Sequence, residues 1–263
     1  MDKRVIIITG ASSGIGAAVA RRLAKDGWCL TLAARRTDRL EQLAKEVRAL
    51  GGETLVVPAD VSQLADIERI VDATLEHWGR VDVLFNNAGV GLNDELSLTN
   101  PEAIHTELMI NLEAVILCAR QVLPIMLKQK SGHIINTSSM AGLVALPKNS
   151  IYCASKSGVV GFSDALRREL RSRGVHVSAF CPGFTPSEIS ESLKAHYEGR
   201  PNAPIVPGLM PNIYVADQVR WLIDHPRRIF VIPKTWRVLV HLAYFFPWLA
   251  DVLVTKFGAR EPD

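Results

Sequence analysis

Two rhythms alternate along this chain. Continuous apolar runs at residues 5–9, 28–34, 54–57, 81–85, 133–137, 175–180 and 228–232 have the length of strands buried on both faces. Between them, apolar positions recur three and four apart at residues 15–26, 38–50, 64–78, 101–130, 150–173 and 215–224, the pattern of helices with one apolar face. In the first of these the stripe is Ala18, Val19, Leu23 and Ala24. Gly51-Gly52 stops the second, and Ser62 is the better placed cap for the third, with Asp60 as the alternative. Strand and helix in turn over 263 residues predict one large α/β domain.

The polar residues gather where the strands end. Thr9-Gly10-Ala11-Ser12-Ser13-Gly14-Ile15-Gly16 joins the first strand to the first helix. Glycines there let backbone approach a pyrophosphate, and a helix N-terminus offers unpaired N–H groups with a partial positive charge. The spacing is Gly-x-x-x-Gly-x-Gly, and no Gly-Lys-Ser/Thr follows, so it is not a Walker loop. The second strand ends in Arg35-Arg36, where a NAD site usually carries an acidic residue on the ribose 2′-hydroxyl. Two arginines predict a 2′-phosphate site, hence NADP(H) in preference to NAD(H). Asp60, at the end of the third strand, is placed to accept from an adenine amino group. The fourth strand leads into Asn86-Asn87-Ala88-Gly89, which reads as close packing near a ligand.

Asn111 interrupts an otherwise apolar helical face (Met109, Leu112, Val115, Ile116), and a mediocre helix former needs a reason to be there. Pro124, farther along, predicts a kink or a first-turn position of a continuing helix. The fifth strand ends in Ser138-Ser139, and Tyr152 follows Ser139 by thirteen residues. Lys156 stands four beyond Tyr152, so on a helix both face one cleft. A phenol is a poor acid or base at neutral pH, and an ammonium beside it favours the phenolate and lowers its pKa. The pair therefore predicts a proton donor and acceptor for alcohol–carbonyl interconversion. The sixth strand runs into Pro182-Gly183-Phe184-Thr185. Residues 185–214, rich in Pro, Gly and polar residues with a helical patch at 188–197, predict a mobile substrate lid.

Composition mainly excludes. Thirty basic against 27 acidic residues give a net charge of +3, and the longest basic runs are pairs. That argues against a nucleic-acid partner. The four cysteines form no CxxC, which predicts a reduced, intracellular and cytoplasmic protein. No metal site, signal peptide or run of membrane-spanning length is expected. The tail, 234–256, carries more apolar residues than a free helix needs, among them Leu239, Leu242, Phe245, Phe246 and Trp248, and Pro247 interrupts it. Three readings compete: packing on the domain or a partner subunit, a lip of the substrate pocket, or a peripheral membrane contact.

In their order these motifs resemble the classical short-chain dehydrogenase/reductase family from residue 3 to about 232. Residues 9–16 look like its cofactor loop and 86–89 like its Asn-Asn-Ala-Gly motif. Asn111, Ser139, Tyr152 and Lys156 match its catalytic tetrad, and Pro182-Gly183 its cofactor-closing turn. The resemblance implies a single-domain, Rossmann-like, doubly wound parallel sheet of seven strands over 1–233, a lid at about 185–215 and an apolar helical extension at 234–263. It implies that Tyr152 is the acid/base on the substrate oxygen. Lys156 lowers its pKa and binds the nicotinamide ribose, Ser139 (with Ser138 as alternative) orients the carbonyl, and Asn111 holds a relay water. Gly10, Ser12, Ser13, Gly14, Ile15 and Gly16 bind the cofactor with Arg35 and Arg36. Asp60 and Val61 bracket adenine, Asn87, Ala88 and Gly89 line the cofactor, and Thr185 touches the carboxamide. Ser187 departs from the usual Thr, and Ser13 stands where many NADP-preferring relatives carry a basic residue. The Tyr–Lys spacing is unlike that of enoyl reductases of this fold, and the loop is unlike that of extended epimerases.

The expected activity is an NADP(H)-dependent oxidoreductase interconverting a secondary alcohol and a ketone, or a 3-oxoacyl, steroid-like or lipid-like carbonyl. The alternative is a catalytically silent dinucleotide-binding sensor or scaffold. Phe184, Ile189, Leu193, Tyr197, Leu209, Met210 and Ile213 predict a largely apolar substrate wall. The helices at 101–130 and 150–173 resemble those that pair between subunits in this family, which implies a homo-oligomer.

Overall fold

A computed structural model describes residues 3–91, 94–188 and 209–258, with side chains to residue 252. Seven strands form one parallel sheet: β1 (Val5–Thr9), β2 (Cys29–Ala34), β3 (Glu53–Pro58), β4 (Val83–Asn86), β5 (Gly132–Thr137), β6 (Val175–Pro182) and β7 (Ile229–Ile232). Their order across the sheet is β3-β2-β1-β4-β5-β6-β7. Apolar runs sit in the middle because helices cover both sides: Ile6, Ile7 and Ile8 are all fully buried. The helices α1 (Gly14–Ala24) and α2 (Thr37–Ala49) pack on one face with α7 (Asn212–Asp224). On the other face lie α3 (Leu64–Trp78), α5 (Ala114–Gln129) and α6 (Ser150–Glu169). The sheet grows in opposite directions from β1 and β4, which are direct neighbours. The crevice beyond their C-terminal ends is where such sheets bind ligands.

Helix ends shift by a few residues from the pattern, and three features differ in kind. The stretch 101–130 is α4 (Pro101–Leu108), a π-turn over Met109–Glu113 and α5, with Asn111 inside the π-turn. Pro124 lies within α5, which continues through it. Ser62 does not cap α3: the Asp60 carboxylate accepts the Ser62 N–H at 3.0 Å, while Asp66 accepts the N–H of Asp60 at 2.7 Å. These two bonds shape the turn locally. Residues 101–129 are long and apolar enough to cross a membrane by length and composition, yet Val115, Cys118, Val122 and Met126 are buried in the domain.

After β7 the tail forms a 3-10 turn (Lys234–Trp236), α8 (Arg237–Phe245) and α9 (Pro247–Gly258), with Pro247 heading the second helix, where a missing N–H costs nothing. Of the predicted lid, residues 189–208 lie outside the described residues.

Candidate active site

The loops after β1 and β4 are built as one unit. Thr9 Oγ1 accepts the backbone N–H groups of Asn87 (3.0 Å) and Ala88 (3.1 Å). In return Asn87 Nδ2 donates to the carbonyls of Thr9 and Gly10. The approach is so close that a Cβ on Gly10 would lie 2.8 Å from Ala88 Cα, and Gly10 also has a φ of 65°. Beyond it, Ser13 precedes α1 without a side-chain cap, so the leading N–H groups of the helix are left for a ligand. A side chain added at Gly14 would meet only Ser187 Cβ, at 3.7 Å. An open, donor-rich helix start of this kind fits a dinucleotide pyrophosphate.

A cleft of about 720 Å³ opens from this loop along the C-terminal edge of the sheet. It reaches Gly10, Ser12, Ser13, Gly14, Ile15, Arg35, Arg36, Asp60 and Val61 at one end and Ser139, Tyr152 and Lys156 at the other. Asn87, Ala88, Gly89, Pro182, Gly183 and Thr185 line it between. Gly16 and Asn111 stand behind the wall. A Cβ on Gly16 would fall 2.5 Å from the Gly10 carbonyl oxygen, so this glycine shapes the loop from beneath.

The two arginines differ. Arg35 is exposed at the cleft edge. Arg36 turns back over the loop and donates to Ser12 Oγ (3.0 Å) and Ser13 Oγ (3.1 Å). Its other nitrogen meets Glu188 Oε1 at 2.5 Å, a carboxylate that Arg39 also holds. Arg36, followed by Arg39, holds the Glu188 carboxyl below the usual range. Glu188 is a cleft residue that motif reading missed, because nothing local links it to a position 152 residues earlier.

At the other end α6 presents Tyr152 and Lys156. Burial pushes the Tyr152 phenol up to about 12, with the neighbouring Ser139 hydroxyl pulling the other way. Burial also brings the Lys156 ammonium down to about 8. Its Nζ donates to the Thr137 carbonyl at 3.0 Å and lies 5.7 Å from the Tyr152 ring centroid. Burial is the larger influence and leaves the phenol above its ordinary value in this arrangement, with Lys156 turned to the end of β5. Ser138 and Ser139 separate clearly. Ser138 Oγ donates to the Lys156 carbonyl at 2.8 Å, while Ser139 Oγ accepts from Ala141 N and keeps its own proton to give.

Asn111 has its reason. Its amide pairs with both backbone groups of Val90, accepting from N and donating to O at 2.9 Å each. It fixes the loop after Gly89 beside Lys156: a Cβ on Gly89 would lie 3.1 Å from Asn111 Oδ1 and 3.5 Å from Lys156 Nζ. Single π-turns of this type are frequent at functional sites. The same amide donates to Glu107 Oε1 at 3.3 Å, and Glu107 is fully buried. Glu107 is a neighbour of the site that motif reading missed, because nothing local connects it to α6.

The apolar wall comes from a different source than expected. Of the predicted residues that are described, only Phe184 lines the cleft; Met210 packs on the core and Ile213 is 66 % exposed. Ile189, Leu193 and Tyr197 lie outside the described residues. The wall is instead made by Val144, Leu146 and Pro147 before α6, and by Trp236, Leu239 and Leu242 of the tail. A Cβ on Gly183 would lie 2.9 Å from the Trp236 ring, so that glycine seats the tail against the cleft. The outer side of the tail stays open: Tyr244, Phe245 and Trp248 are exposed.

Known proteins share this design. The family model described as short chain dehydrogenase matches residues 4–198. A 3-oxoacyl-[acyl-carrier-protein] reductase of Synechocystis sp. is 35 % identical over 244 residues, covering 90 % of this chain and 96 % of the relative. An actinorhodin polyketide ketoreductase variant solved with NADPH superposes with a TM-score of 0.81 at 31 % identity, over 88 % of this chain and 96 % of that one. A short chain dehydrogenase/reductase from Burkholderia phymatum in complex with NAD gives 0.83 at 29 % identity, over 100 % and 98 %. With the seven-stranded sheet and the cleft at its switch point, these likenesses make the chain an oxidoreductase enzyme of the short-chain dehydrogenase/reductase family.

Proposed function

We propose that this enzyme is an NADP(H)-dependent reductase of apolar ketones or 3-oxoacyl groups, and of the matching secondary alcohols in reverse. One observation carries the reading: a single cleft joins a basic end at Arg36 to a hydroxyl pair at Ser139 and Tyr152. Arg36 and Arg35 bind the 2′-phosphate, helped by the hydroxyls of Ser12 and Ser13. The N–H groups from Gly14 to Gly16 hold the pyrophosphate, and Asp60 and Val61 frame adenine. Asn87, Ala88, Gly89, Pro182, Gly183 and Thr185 line the nicotinamide side, and the bound nicotinamide supplies the hydride. Ser139 donates to the substrate carbonyl and fixes its direction. Tyr152 gives its proton to the same oxygen as negative charge develops there. Lys156, charged, stabilises the phenolate left behind and binds the ribose, and Asn111 holds the loop that shapes this corner.

The substrate class follows from the wall. Val144, Leu146, Pro147, Trp236 and Leu239 offer an apolar surface, and the named activity of the Synechocystis relative is reduction of a 3-oxoacyl group. We read 1–233 as the catalytic domain and 234–263 as the lip of the substrate pocket. Burial of all four free cysteines supports a reducing, cytoplasmic setting. The exposed Leu108 and Ile116 on α4 and α5 support pairing of subunits through these helices.

The test is a fluorescence titration with NADPH and with NADH on wild type and Arg36→Ala. A preference for NADPH that disappears in the variant is expected. Equal affinities in the wild type would remove the 2′-phosphate site.

A further inference from the structure

A carboxylate lies buried one helical turn before Asn111, and the roles given above do not use it. Glu107, on α4, has no exposed surface. Its Oε1 takes an N–H from the Asn111 amide at 3.3 Å, and that amide also reaches Ser155 Oγ at 3.3 Å on α6. α4 packs against α6, so the groups in its field are Tyr152, Cys153 and Lys156, all on the first two turns of that helix. From β6, Cys181 faces Lys156 as well, but burial pushes this thiol up to about 12, so it is neutral. A charged side chain is rarely left in a protein interior without a partner or a task.

We propose that Glu107 is a positioning residue for the reaction: its buried carboxylate, one turn before Asn111 on the helix that packs against α6, holds Asn111 in place and sets the charge environment of Lys156. This rests on the reading of Tyr152 and Lys156 as the acid–base pair. A negative charge raises the pKa of every group in its field, and Glu107 acts in this sense on both Tyr152 and Lys156. Burial works on Lys156 in the opposite sense and is the larger influence. Without the carboxylate, the ammonium would lose its proton closer to neutrality. Reduction needs Tyr152 with its proton and Lys156 with its charge. Tyr152, near 12, keeps its proton throughout, so loss of the Lys156 charge near 8 sets the alkaline limit of the reduction, and removing the anion moves that limit towards lower pH.

The test has two readouts. The first is the 13C resonance of lysine Cε in the protein alone, assigned to residue 156 by its loss in Lys156→Met and followed through a pH titration. The second is the pH profile of kcat/KM for ketone reduction. Glu107→Gln, which keeps an oxygen for Asn111, and Glu107→Met, which is apolar, both remove the charge. Each is expected to move the Lys156 titration down by about one pH unit, and the alkaline limb of the rate profile with it. Glu107→Asp keeps the charge and is expected to restore both. Neutral variants that fold, lose rate at every pH and leave the Lys156 titration in place would overturn the proposal, since that is the mark of a purely structural contact. So would failure of both neutral variants to fold while Glu107→Asp folds. Full turnover in Tyr152→Phe would defeat the acid–base reading instead, and would leave the resonance shift standing as a separate result.

Discussion

Arg36 and Glu188 meet across the mouth of the cleft, 2.5 Å between guanidinium nitrogen and carboxylate oxygen. A 2′-phosphate would seek the same guanidinium, because arginine pairs with phosphate as it does with carboxylate. Carboxylate and phosphate therefore compete. Glu188→Gln is expected to tighten NADPH binding several-fold and to leave NADH unchanged in a fluorescence titration. Arg36→Ala is expected to weaken NADPH by about tenfold to a hundredfold, the scale of a charge-assisted hydrogen bond. Arg35→Ala, at the exposed edge, should cost less.

The glycine loop makes a steric prediction. Gly10→Ala would place a Cβ 2.8 Å from Ala88 Cα at a φ that side chains avoid. The loops after β1 and β4 must then part. We expect a loss of about 1–3 kcal/mol in denaturant melts, together with loss of cofactor binding.

How far the site can be read from the chain depends on the distance over which its parts communicate. Tyr152 and Lys156 lie one helical turn apart, and Thr9 to Gly16 is a continuous strand–turn–helix, so the nearness of these residues follows from local spacing, although Tyr-x-x-x-Lys takes its meaning only from the other motifs along the chain. The seven apolar runs place the sheet for the same reason: burial on both faces demands them. Glu188 and Trp236 reach the cleft only through tertiary packing, and no local pattern connects them to it. The π-turn at Asn111 was hidden because it leaves the apolar periodicity nearly unchanged. Ser62 misled because Asp60 and Asp66 take up the turn's N–H groups first. The direction of the Lys156 side chain, towards Thr137, is likewise a packing outcome.

Acid should weaken the fold through His133. This ring, carried by β5, is buried and bonded to Ser178 Oγ of β6 at 2.9 Å, and burial brings it down to about 3 from an ordinary value of 6.5. The unfolded chain takes up its proton below about 6.5, whereas the folded one does so only near 3. Stability from this group is thus complete above that unfolded value and falls as the pH drops through the window. The slope is at most about 1.4 kcal/mol per pH unit. Urea melts between pH 7.5 and pH 5 should show it, and His133→Asn should flatten it.

The tail should govern substrate rather than cofactor. Leu239 of α8 lines the cleft on the side of the tail. Leu239→Asp is expected to raise KM for an apolar ketone about tenfold, the scale of one lost leucine contact surface, with NADPH affinity unchanged. An unchanged KM would remove the tail from the pocket.

The most direct measurement follows the hydride. The enzyme is incubated with NADPH deuterated at nicotinamide C4 and either a 3-oxoacyl thioester or a cyclic ketone, and the product is examined by mass spectrometry. Deuterium on the carbinol carbon is expected for the wild type. In Tyr152→Phe we expect unchanged NADPH binding and transfer slowed by about 10²–10⁴. No deuterium in any product from a wild type that binds NADPH, or transfer at the wild-type rate in Tyr152→Phe, would contradict the account.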